Sequence, residues 1–277
     1  MLTTIAIRGY RSLREIVLPL SELTVVTGAN GTGKSSVYRA LGLLADCGRG
    51  EVIGSLAREG GLQSVLWAGP ENTSGARRTG TTEGTSRTRP VSLELGFAAT
   101  DFGYFIDLGL PQDPGYNSMF GQDPEIKRET VFAGPSPRPS SALVRRTRTY
   151  AEVASDSGRG FDELTRALPS YRSVLAEYAN PEALPELAAV RDRLRDWRFY
   201  DGFRVDRDAP ARRRQVGTRT PVLSNDGNDL AAAVQTILEA GFDDLPRAVG
   251  DAFDGAEISV SSDGGLFELQ LHQRGML

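Results

Sequence analysis

Apolar and polar residues alternate along much of this chain, and the period of the alternation predicts its elements. Residues 4–7 (Thr-Ile-Ala-Ile) read as a short strand, and residues 16–18 (Ile-Val-Leu) as a second that Pro19 closes. Residues 23–26 (Leu-Thr-Val-Val) form a continuous β-branched run, the pattern of a buried parallel strand. Val37, Leu41 and Leu44 then recur at helical spacing, with no proline before Gly48. A short helical stretch leads to residues 59–67, where Gln63 reads as a surface residue, and residues 72–89 are a Gly, Thr, Ser and Arg run that reads as a flexible loop. Residues 91–97 and 104–110 alternate cleanly and predict an antiparallel hairpin turned across 100–103, with Asp107 facing solvent.

Periodicity fades over residues 111–139, which are rich in Pro, Gly and Asp, and residues 143–150 follow as a locally basic strand or edge. Helical spacing returns at Leu164, Ala167 and Leu168 behind Asp162, and again over 183–197, where Leu187, Val190 and Leu194 share a face. Pro169, Pro181 and Pro185 keep these helices short, and no heptad run is present. Residues 197–204 gather four aromatics with Arg198 and Arg204, read as an aromatic strand packed into the core. Its arginines, with Arg207, Arg212, Arg213 and Arg214 nearby, are solvated or paired to Asp206 and Asp208; tracking a nucleic-acid backbone is the alternative. Helices over 230–240, capped by Asn225 or Asp226, and over 243–253 precede strands at 256–260 and 266–271 joined through Asp263, Gly264 and Gly265.

Composition narrows the class. A chain of 277 residues with 25% charged and 39% hydrophobic residues has material for a real core. A net charge of −4 gives the average surface no pull toward nucleic acid or anionic membrane. The single cysteine, Cys47, excludes an internal disulfide and is expected to be buried in a protein of the cytoplasm. No apolar run approaches the ~18 residues that cross a bilayer, so no membrane partner is expected.

Chemistry concentrates between the strand expected at 23–26 and the helix that begins near Lys34. Gly28, Gly33, Lys34 and Ser35 occupy the fixed positions of G-x-x-x-x-G-K-[ST], the phosphate-binding loop. Glycines let consecutive backbone N–H groups converge on phosphates without side chains in the way. The start of the helix adds partial positive charge at the same point. In this reading Asn30, Gly31, Thr32, Gly33, Lys34, Ser35 and Ser36 bind ATP, Lys34 reaches the β- and γ-phosphates as the catalytic cation, and the Ser35 hydroxyl ligates Mg²⁺. Lys34 is one of two lysines, with Lys127, in a chain that otherwise takes its positive charge from arginine.

The opening run TIAIRGYRSLREIVLPLSELTVVTGANGTGKSS resembles the start of the SMC/RecF-like ATPases, a branch of the ABC-type P-loop ATPases. The form Asn30-Gly31-Thr32-Gly33-Lys34-Ser35-Ser36 is itself similar to the ABC-type loop, and the late block from about 197 to 240 resembles predicted ATPases of the same branch. The resemblance implies that Arg11 lies against bound nucleotide. It further implies that two heads sandwich ATP, as a homodimer or with a C-terminal lobe, to act on DNA or a partner protein in repair or phage defence. Residues 223–230 imitate a signature segment, but the resemblance puts them before it, and it gives His272 no switch role.

An ATPase of this kind needs an acidic pair at the end of a buried strand, and no apolar run after the loop ends in one. Hydrolysis is therefore expected of the complete protein, and a nucleotide-binding sensor or assembly module without hydrolysis is the alternative for this chain. The expected fold is an α/β P-loop NTPase, an ABC-type or SMC-like head, with an antiparallel β portion, a small helical insertion and its C-terminal lobe missing. The expected divisions are an ATPase core over 1–110, a loop-rich helical insertion over 111–196 and a continuation of the head over 197–277.

Overall fold

The computed structural model describes residues 1–69, 92–111 and 119–273. The loop read at 72–89 lies outside them. The chain divides into two compact units, Met1–Trp197 and Arg198–Leu277. The fold class is α/β, with a large antiparallel sheet.

Eight strands build the first unit's sheet: β1 (Leu2–Tyr10), β2 (Leu13–Pro19), β3 (Leu93–Ala99), β4 (Phe102–Gly109), β5 (Glu125–Ala133), β6 (Ala142–Thr147), β7 (Tyr150–Ala154) and β8 (Phe161–Thr165). Their order is β2-β1-β3-β4-β5-β6-β7-β8, with every pair antiparallel. Alternation decides what is buried: Ile5 and Ile7, Leu93, Leu95 and Phe97, and Tyr104, Ile106 and Leu108 all point to one face. Helix α1 (Lys34–Arg49) lies in the same core, contributing Val37, Ala40, Leu43, Leu44 and Cys47. The short helices α2 (Val52–Arg58), α3 (Leu62–Val65) and α4 (Val174–Tyr178), and the longer α5 (Pro185–Arg195), complete that layer. Leu187, Val190 and Leu194 are buried as their spacing predicts. α1 and α5 meet closely at Gly48, where a Cβ would sit 2.7 Å from that of Leu194.

Several expectations change here. Residues 111–196 supply four sheet strands in addition to α4 and α5, so they extend the first unit's sheet instead of forming a helical insertion. The stretch behind Asp162 is strand β8, because pairing with β7 outweighs its weak helical spacing. Asp107 is not solvent-facing: it is 3% exposed, accepts from Arg128 Nη2 at 2.8 Å and Nε at 3.0 Å, and is hydrogen-bonded by Ser92.

The basic run at 143–150 is an interior strand and a turn, and it carries a fully buried charge. Arg146 of β6 stands directly opposite Glu129 of β5 and pairs with it at 2.7 Å, both side chains 0% exposed. Glu129 also accepts from Tyr104 Oη and Ser173 Oγ, each at 2.6 Å, and from the Val174 amide at 2.9 Å. Arg146 donates to the carbonyls of Arg148, Pro169 and Arg172. Burial, reinforced by the Glu129 charge, pushes the Tyr104 hydroxyl and the Cys47 thiol well up.

The second unit pairs β9 (Gln215–Val216), β10 (Glu257–Asp263) and β11 (Leu266–His272) in the order β10-β11-β9, with helices α6 (Leu230–Glu239) and α7 (Asp244–Ala252). Gly264 and Gly265, at φ 58° and 81°, make the two-residue hairpin turn. Asn225 and Asp226 do not cap α6. Gln215 Oε1 accepts from the Ala231 amide at 2.8 Å, while Asn225 accepts from Gly202 and Asp226 from Ser224. The aromatic run is not a strand: Trp197 packs on Phe97 in the first unit, and Tyr200 is exposed. Arg204 pairs with Asp206 as expected. Among the described residues, no helix is long and apolar enough to cross a membrane.

Two outcomes follow from these contacts. Glu129→Gln leaves the Arg146 charge buried without its partner and is expected to lower unfolding free energy by about 3–5 kcal/mol, read from urea denaturation. Asp101, gripped by both terminal nitrogens of Arg193, is held well below the usual carboxylate range. A depressed carboxyl contributes fully above its unfolded value of about 3.9 and loses that contribution as pH falls. Arg193→Ala is therefore expected to lower Tm at neutral pH by more than it does in strong acid.

Candidate functional site

The loop ahead of α1 takes its shape from backbone conformations that glycine permits. Gly31 and Gly33 adopt φ 82° and 103°. Between them Thr32 Oγ1 donates to the Ala29 carbonyl at 2.8 Å, and the Thr32 amide reaches the same oxygen at 3.4 Å, closing the tip. Gly33 is the N-cap of α1 and brings no side-chain cap, while its carbonyl receives the Val37 amide at 3.0 Å. The amides of Lys34, Ser35 and Ser36 thus begin the helix without intrahelical acceptors, which is the arrangement that favours an anion.

Lys34 Nζ donates back into the loop, to the Gly28 carbonyl at 2.6 Å and the Ala29 carbonyl at 2.8 Å. A lysine ammonium has three donors and a flexible stem, so phosphate oxygens can replace these carbonyls without moving the backbone. Asn30, Gly31, Thr32 and Ser35 are exposed, and Ser36 is buried. One exposed hydroxyl beside a phosphate site suits Mg²⁺, which keeps most of its ligands as water and phosphate oxygen. Ser35 is the residue here that would hold it.

The structure adds a wall that pattern reading did not name. The β1–β2 hairpin turns through Arg11 and Ser12, with Tyr10 paired to Leu13. Ser12 Oγ lies 3.0 Å from Ser36 Oγ, and a Cβ on Gly33 would meet Leu13 Cδ2 at 2.8 Å and Ser12 Oγ at 3.0 Å. Ser12 and Leu13 are neighbours of the loop only through the hairpin; their distance in sequence hides it.

Arg11 does not point at the loop. Its Nη2 donates to Glu59 Oε2 at 2.6 Å and its Nε to Tyr10 Oη at 3.3 Å, and Glu59 also accepts from Tyr10 Oη at 3.0 Å. The Glu59 hydrogen bond raises the already high arginine value, and burial pushes the Tyr10 hydroxyl up to about 12.

The strand expected at 23–26 is not formed. Leu23, Val25 and Val26 are 82%, 73% and 47% exposed, in irregular chain that pairs with no strand among the described residues. A parallel strand needs neighbours for both its hydrogen bonds and its side chains, and composition alone does not provide them.

Comparison with known proteins bears on this geometry. Residues 23–245, well over half the chain, match the model of a family described as "AAA domain, putative AbiEii toxin, Type IV TA system". No curated protein matches the chain. A solved structure from work on ATP-driven dimerization and DNA-stimulated activation of SMC ATPases is similar at 16% identity over 68% of this chain and 79% of that chain. Its TM-score is 0.25, and at that value the likeness carries no argument about this chain.

Gly33→Ala tests the close approach of hairpin and loop. The methyl group meets Leu13 and Ser12 at a φ that L-residues rarely adopt, and the expected cost is about 1–3 kcal/mol of stability in a denaturant titration.

Proposed function

The chain belongs to this AAA domain family, and on that premise we propose that it binds Mg²⁺-ATP at residues 28–36 as the nucleotide-binding part of an SMC/RecF-like ATPase. The observation that carries the reading is Lys34, poised on the Gly28 and Ala29 carbonyls over a glycine-shaped loop at the start of a 16-residue helix. Loop amides and Lys34 bind the phosphates, and Ser35 holds the metal, which supplies charge neutralisation when bound. Leu23, Val25 and Val26 support a further element of the reading: this stretch becomes a strand when a C-terminal lobe or a second head supplies its neighbour. ATP-driven engagement of two heads would then act on DNA or on a partner protein.

A second reading is a nucleotide-binding module that does not hydrolyse, favoured by the sequence after the loop, where no apolar run ends in an acidic pair.

Calorimetry of Mg²⁺-ATP binding, with phosphate release followed in the same samples, tests both. Lys34→Ala is expected to weaken binding about tenfold or more, the loss of a charged hydrogen-bond donor. Unchanged affinity in that variant overturns the nucleotide reading. Turnover that Lys34→Ala abolishes supports the ATPase and removes the non-hydrolysing alternative.

A further inference from the structure

The hairpin that walls the loop carries a full positive charge, and the structure turns that charge aside. Arg11 and Ser12 are consecutive, about 3.8 Å apart at their Cα atoms, and Ser12 touches Ser36 in the first turn of α1. From this position a long arginine side chain, if released, could turn toward the same helix start. Instead its guanidinium rests on Glu59, one residue past the end of α2.

Such a pair ordinarily braces a turn, but here the backbone already does so. The Arg11 amide donates to the Val65 carbonyl at 2.6 Å, the Trp67 amide donates to the Gly9 carbonyl at 2.9 Å, and Tyr10 bridges Leu66. The side-chain pair is part exposed, 29% for Arg11 and 23% for Glu59, and ion pairs so placed are weak and readily exchanged. A triphosphate brings several negative charges where Glu59 brings one, so the exchange runs toward phosphate.

We propose that Glu59 is a positioning residue that acts as a placeholder: it holds the Arg11 guanidinium aside from the loop in the nucleotide-free chain and yields it to the phosphates of a bound nucleotide. The inference rests on the nucleotide reading above. It makes Glu59 a competitor of ATP for one cation, so its removal strengthens binding. A brace would do the reverse, because loosening the hairpin weakens the site.

The test is Mg²⁺-ATP calorimetry on the 277-residue chain, comparing Glu59→Gln, Glu59→Asp, Arg11→Ala, the Arg11→Ala/Glu59→Gln double variant and Lys34→Ala, with thermal midpoints measured in parallel. Glu59→Gln is expected to tighten ATP about two- to fivefold, the scale of a part-exposed ion pair, while its thermal midpoint stays level or falls. Glu59→Asp is expected to lie between Glu59→Gln and the native chain. Arg11→Ala is expected to weaken binding, and the gain from Glu59→Gln is expected to vanish in the double variant. Unchanged or weaker ATP binding by Glu59→Gln, or a gain that persists without Arg11, overturns the placeholder while Lys34-dependent binding keeps the nucleotide reading intact. Binding that ignores Lys34 overturns both.

Discussion

Helix α1 must bury one face against the antiparallel sheet while leaving Ser35 of its first turn exposed. Val37, Ala40, Leu43, Leu44 and Cys47 are in the core, and a fully buried large apolar side chain contributes about 1.5–3 kcal/mol. Both ends of the helix are located by close contacts. Gly48 lets Leu194 approach at one end, and Gly33 lets Leu13 and Ser12 approach at the other. The loop from Gly28 to Gly33 is therefore presented by a packed element, so a local change at Gly33 is felt by hairpin, helix and loop together.

The far side of the core is organised by charge. Glu129 and Arg146 face each other across adjacent strands, and four of their hydrogen bonds tie the sheet to the chain between Pro169 and Val174. Burying such a pair is costly unless its remaining donors and acceptors are met, and here carbonyls, hydroxyls and an amide meet them. Tyr104 and Cys47 lie in the same surroundings, where burial and the Glu129 charge both keep their protons on.

The candidate site is one-sided by comparison. Its hairpin wall and helix are well packed, but the chain that enters it exposes Leu23, Val25 and Val26. Charge is held in reserve around it: Lys34 on its own loop's carbonyls and Arg11 on Glu59. Each contact holds a cation on a partner within the chain.

Local pattern by itself determined the alternating strands around Ile5, Leu95 and Ile106, the face of α5 that carries Leu187, Val190 and Leu194, the Gly264-Gly265 turn and the spacing from Gly28 to Ser35. These depend on residues a few positions apart, where periodicity and glycine conformation dominate. Tertiary structure alone decided that residues 125–165 continue the first sheet, that Asp107 and Arg146 are buried, and that Gln215 meets the first turn of α6. It also decided that Arg11 turns to Glu59 and that residues 23–26 stay unpaired despite their composition. Each of these depends on a partner far along the chain, or on the want of a neighbouring strand. Burial of a charge or pairing of a strand is a property of two segments brought together, and neither segment encodes it alone.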